Sequence, residues 1–190
     1  MLQIIFALAA VTGEPSPATA ALPPPERRQE LLFTAARLGQ ADLITPLVRS
    51  GVDVNARDAR GFTPIILAAY NDHFDTVEAL LVSKADACLP DRDQGNTAQM
   101  GVAFRGNDAI AARLLQAGCD VNARNHAGQT ALMMAALFSR SRQIDMLIAA
   151  GADATITDAA GRSASTVAEG QGNTALAKAL DASVAAPGHR

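Results

Sequence analysis

The chain has 190 residues, nearly half of them apolar, which is enough for one domain with a substantial core. Its formal net charge of −3 gives no overall positive field, which argues against nucleic-acid binding. Two cysteines are too few for a fold built on disulfides, and no apolar segment is long enough to cross a membrane as a helix of the mature chain.

The first 25 residues differ in character from the rest of the chain. Residues 4–11 form a short apolar run, residues 18–20 read Ala-Thr-Ala, and residues 23–25 are all proline. This order predicts a secretory signal peptide with a small-x-small cleavage site, followed by a stiff Pro-rich leader, over residues 1–25. The alternative is a disordered, Pro-rich leader on a cytoplasmic protein, because Glu14 and Pro15 interrupt the approach to the cleavage site and no basic residue precedes the apolar run.

A repeat of 33 or 34 residues follows the leader. Four copies open with a glycine that is followed two residues later by Thr or Ser, and a further copy without the glycine precedes them. A fixed period of this length predicts a solenoid of stacked units. We expect the solenoid to occupy residues 26–182, with repeats 28–60, 61–94, 95–127, 128–160 and 161–182, and a disordered tail over 183–190.

Each copy predicts two helices joined by a tight turn. In the clearest copy, Thr63 is positioned as a helix N-cap and Pro64 as the first helical residue. A second helix is predicted from about Phe74 to Ser83, with apolar residues at i, i+3 and i+4. A single unit cannot bury this apolar stripe, so neighbouring units are expected to stack.

The end of each second helix is marked by a residue suited to the left-handed conformation. Gly51, Gly118 and Gly151 occupy this position in three copies. The second copy has Lys84 there, and a side chain in this conformation costs about 1 kcal/mol. We therefore expect Lys84 either to weaken its joint or to adopt another backbone geometry.

Together these features resemble the ankyrin repeat, with its glycine turn, Thr-Pro, Ala-Ala pair, Leu-Leu pair and Gly-x-Asp-x-Asn tail. The resemblance covers about residues 28–180 and implies an all-α solenoid of stacked helix–turn–helix units with β-turn fingers. One departure is that Ile66, Met100 and Met133 stand where the family has histidine. We therefore expect the first helices to depend more on packing at their N-termini.

No set of residues in the sequence indicates catalysis. Of the three histidines, His73 matches the family's turn histidine, His126 lies at a predicted turn tip and His189 lies in the tail. The sequence shows no metal-ligand spacing, no nucleophile paired with a base and no phosphate-binding glycine motif. We predict a non-enzymatic protein without a metal or other cofactor.

The two cysteines lie in equivalent segments of adjacent repeats. Cys88 and Cys119 both follow second helices, and stacking of the units could bring the two segments together. In an oxidising compartment a disulfide is therefore a candidate, provided that its geometry is met. The alternative is two small buried hydrophobic residues.

The resemblance implies that a partner protein binds at the turn tips and on the concave face of the first helices. Four of the chain's seven aromatic residues fall at these positions, together with several arginines, and interface centres use both types. The alternative is that the aromatic side chains only pack against one another. The predicted partner-binding residues are Arg60, Phe62, Tyr70, Asn71, Arg92, Asn96, Phe104, Arg105, His126, Gln129, Leu137 and Phe138.

The leading hypothesis is a monomeric scaffold that binds another protein. Residues 87–115 and 124–138 are also similar to a group of exported bacterial ankyrin-repeat proteins, some of them encoded beside catalases. This similarity makes catalase a candidate partner and favours a periplasmic or secreted location, with the cytoplasm as the alternative. A second hypothesis is a redox-responsive accessory protein that supports an oxidative-stress enzyme such as catalase, with Cys88 and Cys119 as the switch.

Overall fold

The computed structural model describes residues 22–185, and within this range every regular element is an α-helix. The all-α prediction is therefore confirmed. The predicted signal peptide lies almost wholly outside the described residues. The helices are α1 (Pro25–Leu38), α2 (Ala41–Arg49), α3 (Pro64–Tyr70), α4 (Phe74–Val82), α5 (Ala98–Arg105), α6 (Asp108–Leu115), α7 (Ala131–Leu137), α8 (Ser141–Ala149), α9 (Ala164–Gly170) and α10 (Thr174–Ala185).

The helices stack in two layers. The odd-numbered helices α1, α3, α5, α7 and α9 pack side by side in one layer, and α2, α4, α6 and α8 follow one another in the second layer. Small pairs such as Ala68-Ala69 and Ala135-Ala136 are fully buried in the odd-numbered layer, which allows neighbouring helices to approach closely. Large side chains such as Ile65 and Leu80 fill the space between the layers. This is the packing expected of a solenoid, because no helix pair can bury its apolar stripe alone.

Four odd-numbered helices begin with a hydroxyl N-cap. The side-chain oxygens of Thr63, Thr97, Thr130 and Ser163 each accept a hydrogen bond from the backbone N–H three residues later, as the sequence predicts for Thr63. Ile66, Met100 and Met133 donate these hydrogen bonds to the three threonine caps, and all three side chains are buried. Apolar packing thus accompanies the caps where the family has histidine.

Between successive helix pairs the chain forms four tight turns, here called fingers, at residues 58–62, 91–96, 125–129 and 158–162. Each finger is held by a buried Asp or Asn at its first position. In the second finger, for example, the carboxylate of Asp91 accepts the backbone N–H groups of Gln94, Gly95 and Asn96. Adjacent fingers are then joined by backbone hydrogen bonds of 2.8–3.1 Å, from Arg92 to Gly61, from His126 to Gln94 and from Ala159 to Ala127.

The fourth finger makes the stability of the protein depend on pH. The backbone N–H of Arg162, and then its guanidinium, hold the pKa of Asp158 below its ordinary value by donating hydrogen bonds of 3.0 and 2.8 Å. A carboxyl with a lowered folded-state pKa stabilises the fold fully above its unfolded-state pKa and loses this contribution as the pH falls through the folded-state value. We therefore expect the urea concentration at the unfolding midpoint to decrease when the pH is lowered below about 4.

The matched variant for this pH dependence is Asp158→Asn. Asn125 occupies the same position in the third finger, so the fold accepts an amide there. The variant should flatten the fall of the urea midpoint between about pH 5 and pH 3, because one titrating group is removed. Equal slopes for the two proteins would show that Asp158 does not contribute to acid unfolding.

Lys84 follows the second helix pair and keeps the backbone geometry of Gly51, Gly118 and Gly151, which follow the other second helices. Lys84 has φ 70°, close to φ 76° at Gly118, so of the two expected outcomes another backbone geometry is excluded and a strained joint is left. The hydrogen bond from the N–H of Ala85 to the carbonyl of Leu80 closes the helix end and requires this conformation.

Replacing Lys84 tests the strain at this helix end. A Lys84→Gly variant should be more stable than wild type by about 0.5–1 kcal/mol, because glycine adopts a positive φ without a Cβ penalty. The converse Gly118→Ala variant should lose a similar amount, since a Cβ there meets no atom within 4 Å and only the backbone is strained. Urea unfolding of both variants measures the two effects, and changes of the same sign would contradict this explanation.

Two predicted boundaries need correction. Pro25, assigned to the leader, is the first residue of α1, where its fixed φ suits a helix start and its missing N–H costs nothing. Residues 183–185, assigned to a disordered tail over 183–190, are helical, because α10 continues to Ala185 after burying Leu180. Residues 186–190 lie outside the described part of the chain. None of the helices among residues 22–185 combines the length and apolar character needed to cross a membrane.

Candidate functional site

Three aromatic side chains from successive repeats form a row, here called the aromatic ladder. Tyr70 and Phe104 are at the C-terminal ends of α3 and α5, and Phe138 follows α7 directly. The rings of Tyr70 and Phe104 are stacked with centroids 5.6 Å apart, and those of Phe104 and Phe138 meet edge to face at 4.7 Å. Equivalent positions in stacked repeats lie side by side, which is why Tyr70 and Phe104 become neighbours, whereas Phe138 stands one position later in its repeat.

The ladder is packed and accessible at the same time. Tyr70 keeps 44% and Phe104 40% of its surface exposed, although each contacts the next ring. The alternative that the aromatic side chains pack against one another is therefore correct about their contacts. These contacts nevertheless leave the rings of Tyr70 and Phe104 partly exposed. Other large apolar side chains, such as Leu38 and Val82, are also exposed, and what distinguishes Tyr70 and Phe104 is that their two exposed rings lie in contact with each other.

A charged pair borders the ladder. The guanidinium of Arg105 lies 5.7 Å from the ring centre of Tyr70, within cation–π range, and one of its nitrogens is 3.1 Å from the carboxylate of Asp72. Asp72 was not singled out from the sequence. The sequence could have indicated Asp72 only through its charge, which is opposite to that of Arg105 one repeat later. The structure places the two side chains together.

The finger tips carry a second group of predicted site residues. The guanidinium of Arg60 lies over the ring of Phe62, 5.1 Å from its centre, and Phe62 is half-buried against the core. Arg60 and Arg92 are exposed on adjacent fingers, and among residues 22–185 neither lies within ion-pair distance of a carboxylate. These two guanidinium groups are therefore free to meet a negative partner group.

Four of the predicted site residues are occupied within the protein. The amide of Asn71 donates to the carbonyl of Leu67 at 2.7 Å and caps its own helix. The side-chain oxygens of Asn96 and Gln129 both accept from the amide of Asn125, at 2.9 and 3.1 Å. The ring of His126 is 3.0 Å from the carbonyl oxygen of Asp93 on the neighbouring finger. These contacts give the four side chains a structural role.

The structure therefore divides the predicted site into two groups. Tyr70, Phe104, Arg105 and Phe138 lie at the C-terminal ends of the odd-numbered helices, whereas Arg60, Phe62 and Arg92 lie at the fingers. A seven-residue helix such as α3 separates its two ends by about 10 Å. Leu137 belongs to neither group, because it is half-buried against the core and Phe138 takes its place beside Phe104.

A disulfide joins the loops after α4 and α6. Cys88 and Cys119 have Cα atoms 5.3 Å apart, and Cys88 is exposed while Cys119 is half-buried. The preceding and following joints use a hydrogen bond at the same place. The side-chain oxygen of Asn55 accepts from the N–H of Asp86, and that of Asn122 accepts from the N–H of Asp153, both at 2.8 Å. The disulfide thus replaces a polar contact that recurs at the neighbouring joints.

A family model, that of the ankyrin repeats, matches the chain in three overlapping copies, at residues 8–93, 31–125 and 83–158. The chain belongs to the ankyrin-repeat family. Ankyrin repeats are in general scaffolds for protein–protein interaction, and the family is typically non-enzymatic.

Several ankyrin-repeat proteins align with most of the chain. It is 36% identical over 70% of its length to the ankyrin repeat domain-containing protein SAT10 of Stachybotrys chartarum, and 32% identical over 60% to ankyrin repeat and SAM domain-containing protein 6 of Mus musculus. An ankyrin repeat-containing protein of Treponema pallidum is 33% identical over 66%. The aligned residues span 7%, 13% and 42% of these three relatives, so the ankyrin domain is the shared part.

Three further ionisable groups of this ankyrin domain, those of His73, Arg37 and Asp58, make contacts within the fold. The ring nitrogen Nε2 of His73 is 3.0 Å from the carbonyl oxygen of Arg37, so His73 links the turns of the first two repeats. Arg37 in turn pairs with the buried carboxylate of Asp58 at 3.2 Å. Within residues 22–185 no group of three or more His, Cys, Asp or Glu side chains is placed to hold a metal ion.

Proposed function

We propose that this ankyrin domain has a non-enzymatic role and binds another protein through the aromatic ladder. The observation that carries the proposal is the row of Tyr70, Phe104 and Phe138, in which the exposed rings of Tyr70 and Phe104 are stacked and the half-buried ring of Phe138 meets Phe104 edge to face. Aromatic side chains supply large contact area at a small cost in conformational entropy, and they dominate the energetics of many interfaces. Mutual stacking holds the rings in place before a partner arrives, which lowers the ordering cost of binding.

The arginines of the two groups of site residues support a partner segment with acidic as well as apolar side chains. Arg105 lies at the edge of the ladder, where it pairs with Asp72, and Arg60 and Arg92, which have no ion pair among residues 22–185, lie at the fingers. The protein as a whole carries a net charge of −3, so these arginines form a local exception. Carboxylates of the partner would set its orientation, and the rings would supply most of the affinity.

We also propose that the protein works in an oxidising compartment, as a periplasmic or secreted protein, and acts as a monomer. The Cys88–Cys119 disulfide supports this location, because disulfides persist outside the reducing cytoplasm. The predicted signal peptide agrees with it but concerns residues outside the described part of the chain. Catalase stays a predicted partner that rests on sequence similarity, and a purified bacterial catalase is a suitable first protein for a binding titration.

The test compares capture by wild type with capture by a Tyr70→Ala/Phe104→Ala/Phe138→Ala variant. Proteins bound from a periplasmic extract are identified by mass spectrometry, and each candidate is then titrated in purified form. An interface hot spot contributes about 2 kcal/mol or more, so even one hot spot among the three residues would make the triple variant bind its specific partner at least about 30-fold more weakly. The same spectra give the N-terminal residue of the mature protein.

The matched control is Phe74→Ala. Phe74 is 38% exposed on α4 and lies outside the ladder, so its removal has a similar chemical effect at another place. Far-UV circular dichroism must show that both variants keep their helices. Binding that survives in the triple variant, or that Phe74→Ala weakens equally, would reject the ladder as the binding site.

A second candidate function is a redox-responsive accessory protein for an oxidative-stress enzyme such as catalase. The exposure of Cys88 favours this candidate, because a soluble dithiol could reach the disulfide. A free-thiol count on the native protein, purified without reductant and again after dithiol treatment, separates the two candidates. Two free thiols under both conditions would reject the redox function and leave the scaffold function standing.

A further inference from the structure

One joint of the solenoid carries both the disulfide and the core of the aromatic ladder. This central joint is the interface of the α3–α4 pair with the α5–α6 pair. At the finger side it contains the Cys88–Cys119 disulfide. At the opposite ends of α3 and α5 it contains the stacked rings of Tyr70 and Phe104. A change in the packing of this joint therefore acts on both features.

The two layers of the central joint are unequally packed. The helices α3 and α5 contact each other about as extensively as the other odd-numbered neighbours do. By contrast, α4 and α6 pack less extensively than α2 with α4 or α6 with α8. The ion pair of Arg113 with Glu78 spans α4 and α6, but partly exposed pairs of this kind contribute little. The α4–α6 side is therefore the less extensively packed side of the joint, although both pairs share one buried cluster.

The disulfide replaces the contact that closes the neighbouring joints. Those joints are held by Asn55 and Asn122, whose side chains accept a backbone N–H of the next repeat. Reduced Cys88 would offer only a weakly accepting thiol at that position. The strained Lys84 lies four residues before Cys88 in the same loop. Without the disulfide, the central joint therefore has weaker closing contacts than either neighbour.

We propose that the redox state of Cys88 and Cys119 controls the spacing of Tyr70 and Phe104, and thereby the affinity of the aromatic ladder for its partner; this regulation rests on the proposed binding function. The co-reactant is a dithiol. It transfers two electrons and two protons to the two sulfur atoms, the S–S bond breaks to give two thiols, and the dithiol becomes a disulfide.

The oxidised form is the form that binds. With the disulfide closed, the rings are held in their stacked arrangement and the ladder is preorganised. After reduction, α4 and α6 separate and α5 tilts on α3, which loosens the contact between Tyr70 and Phe104. A coupling of this kind is typically worth fivefold or more in affinity, so reduction should weaken binding of the partner by at least about fivefold.

The fluorescence of Tyr70 measures the state of the central joint. It is the only tyrosine of a chain without tryptophan, so tyrosine emission reports on the central joint alone. The experiment records acrylamide quenching and near-UV circular dichroism of oxidised wild type, wild type reduced with dithiothreitol, and a Cys88→Ser/Cys119→Ser variant. We expect quenching in the last two samples to rise towards that of free tyrosine amide, and the far-UV helical signal to persist in all three.

The control is Asn122→Ala. This variant loses the hydrogen bond to Asp153 at the following joint but leaves the central joint intact, so its Tyr70 quenching should equal that of oxidised wild type. A control that changes as much as the reduced protein would reject a local effect of the disulfide.

Two results would overturn the redox control. One is equal quenching of Tyr70 in the oxidised and reduced proteins. The other is loss of the helical signal together with the change at Tyr70, because reduction would then unfold the whole domain. If Tyr70 responds as expected while the ladder triple variant still binds the captured partner, the redox control of the joint is retained and the proposed binding site is rejected.

Discussion

A Leu80→Ala variant is expected to lose about 2–5 kcal/mol of unfolding free energy, the largest effect of a single substitution considered for this protein. Leu80 is fully buried and contributes to the core that joins the first three repeats. Truncation removes apolar area from the core and leaves a cavity that the rigid helix stack cannot close fully. Urea unfolding followed by circular dichroism measures the loss.

Val82→Ala in the same helix is the control for Leu80→Ala. Val82 is 70% exposed, and exposed substitutions usually change stability by less than about 0.5 kcal/mol. Both residues lie in α4, so a general effect of alanine on the helix would appear in both variants. Similar losses in the two variants would contradict the inward orientation of Leu80.

Removal of the disulfide is the second large effect that we expect. Cys88 and Cys119 are 31 residues apart, and a disulfide that closes a loop of this length stabilises the fold by about 2–4 kcal/mol, mainly by restricting the unfolded chain. Wild type in dithiothreitol and the Cys88→Ser/Cys119→Ser variant should therefore show the same lowered urea midpoint. The urea midpoint of the Cys88→Ser/Cys119→Ser variant should be the same with and without dithiothreitol.

Asn122→Ala is the matched comparison for the loss of the disulfide. It removes the hydrogen bond that closes the next joint, which should cost about 1 kcal/mol and thus less than the disulfide. If wild type has the same midpoint with and without dithiothreitol, the disulfide either does not form in the protein or does not stabilise it. A thiol count on the same samples decides between these two explanations.

The helices could be predicted from the sequence because their signals are local and recur. Thr63 is a favoured N-cap and Pro64 a favoured first helical residue because of their own chemistry, and α3 begins at Pro64 as expected. The predicted start of the second helix at Phe74 agrees with that of α4. Each signal is repeated in the other copies, and this repetition makes the family recognisable.

The arrangement of the aromatic ladder depends on contacts that the sequence does not specify. By position in the repeat, Leu137 is the counterpart of Tyr70 and Phe104. In the structure α7 ends at Leu137, and the ring of the next residue, Phe138, meets Phe104 instead. Which of two adjacent side chains fills such a place is decided by packing between repeats, and periodicity gives no information about it.

The sequence does not decide the pairing of Cys88 with Cys119, for the same reason. The sequence showed equivalent segments in adjacent repeats, but a disulfide needs Cα atoms within about 7 Å, and that distance depends on how the repeats stack. The structure supplies the distance of 5.3 Å. The identity of the partner is not encoded in such distances, and only the chemistry of the exposed side chains bears on it.

The central claim is that a partner protein covers the aromatic ladder, and hydroxyl-radical labelling of the complex tests it most directly. The captured partner is added to wild type, and labelling of individual side chains is compared with that of the free protein by mass spectrometry. We predict that Tyr70 and Phe104 become protected while Phe74 on α4 is labelled as before. Protection of Phe74 with unchanged labelling of Tyr70 and Phe104 would contradict the claim.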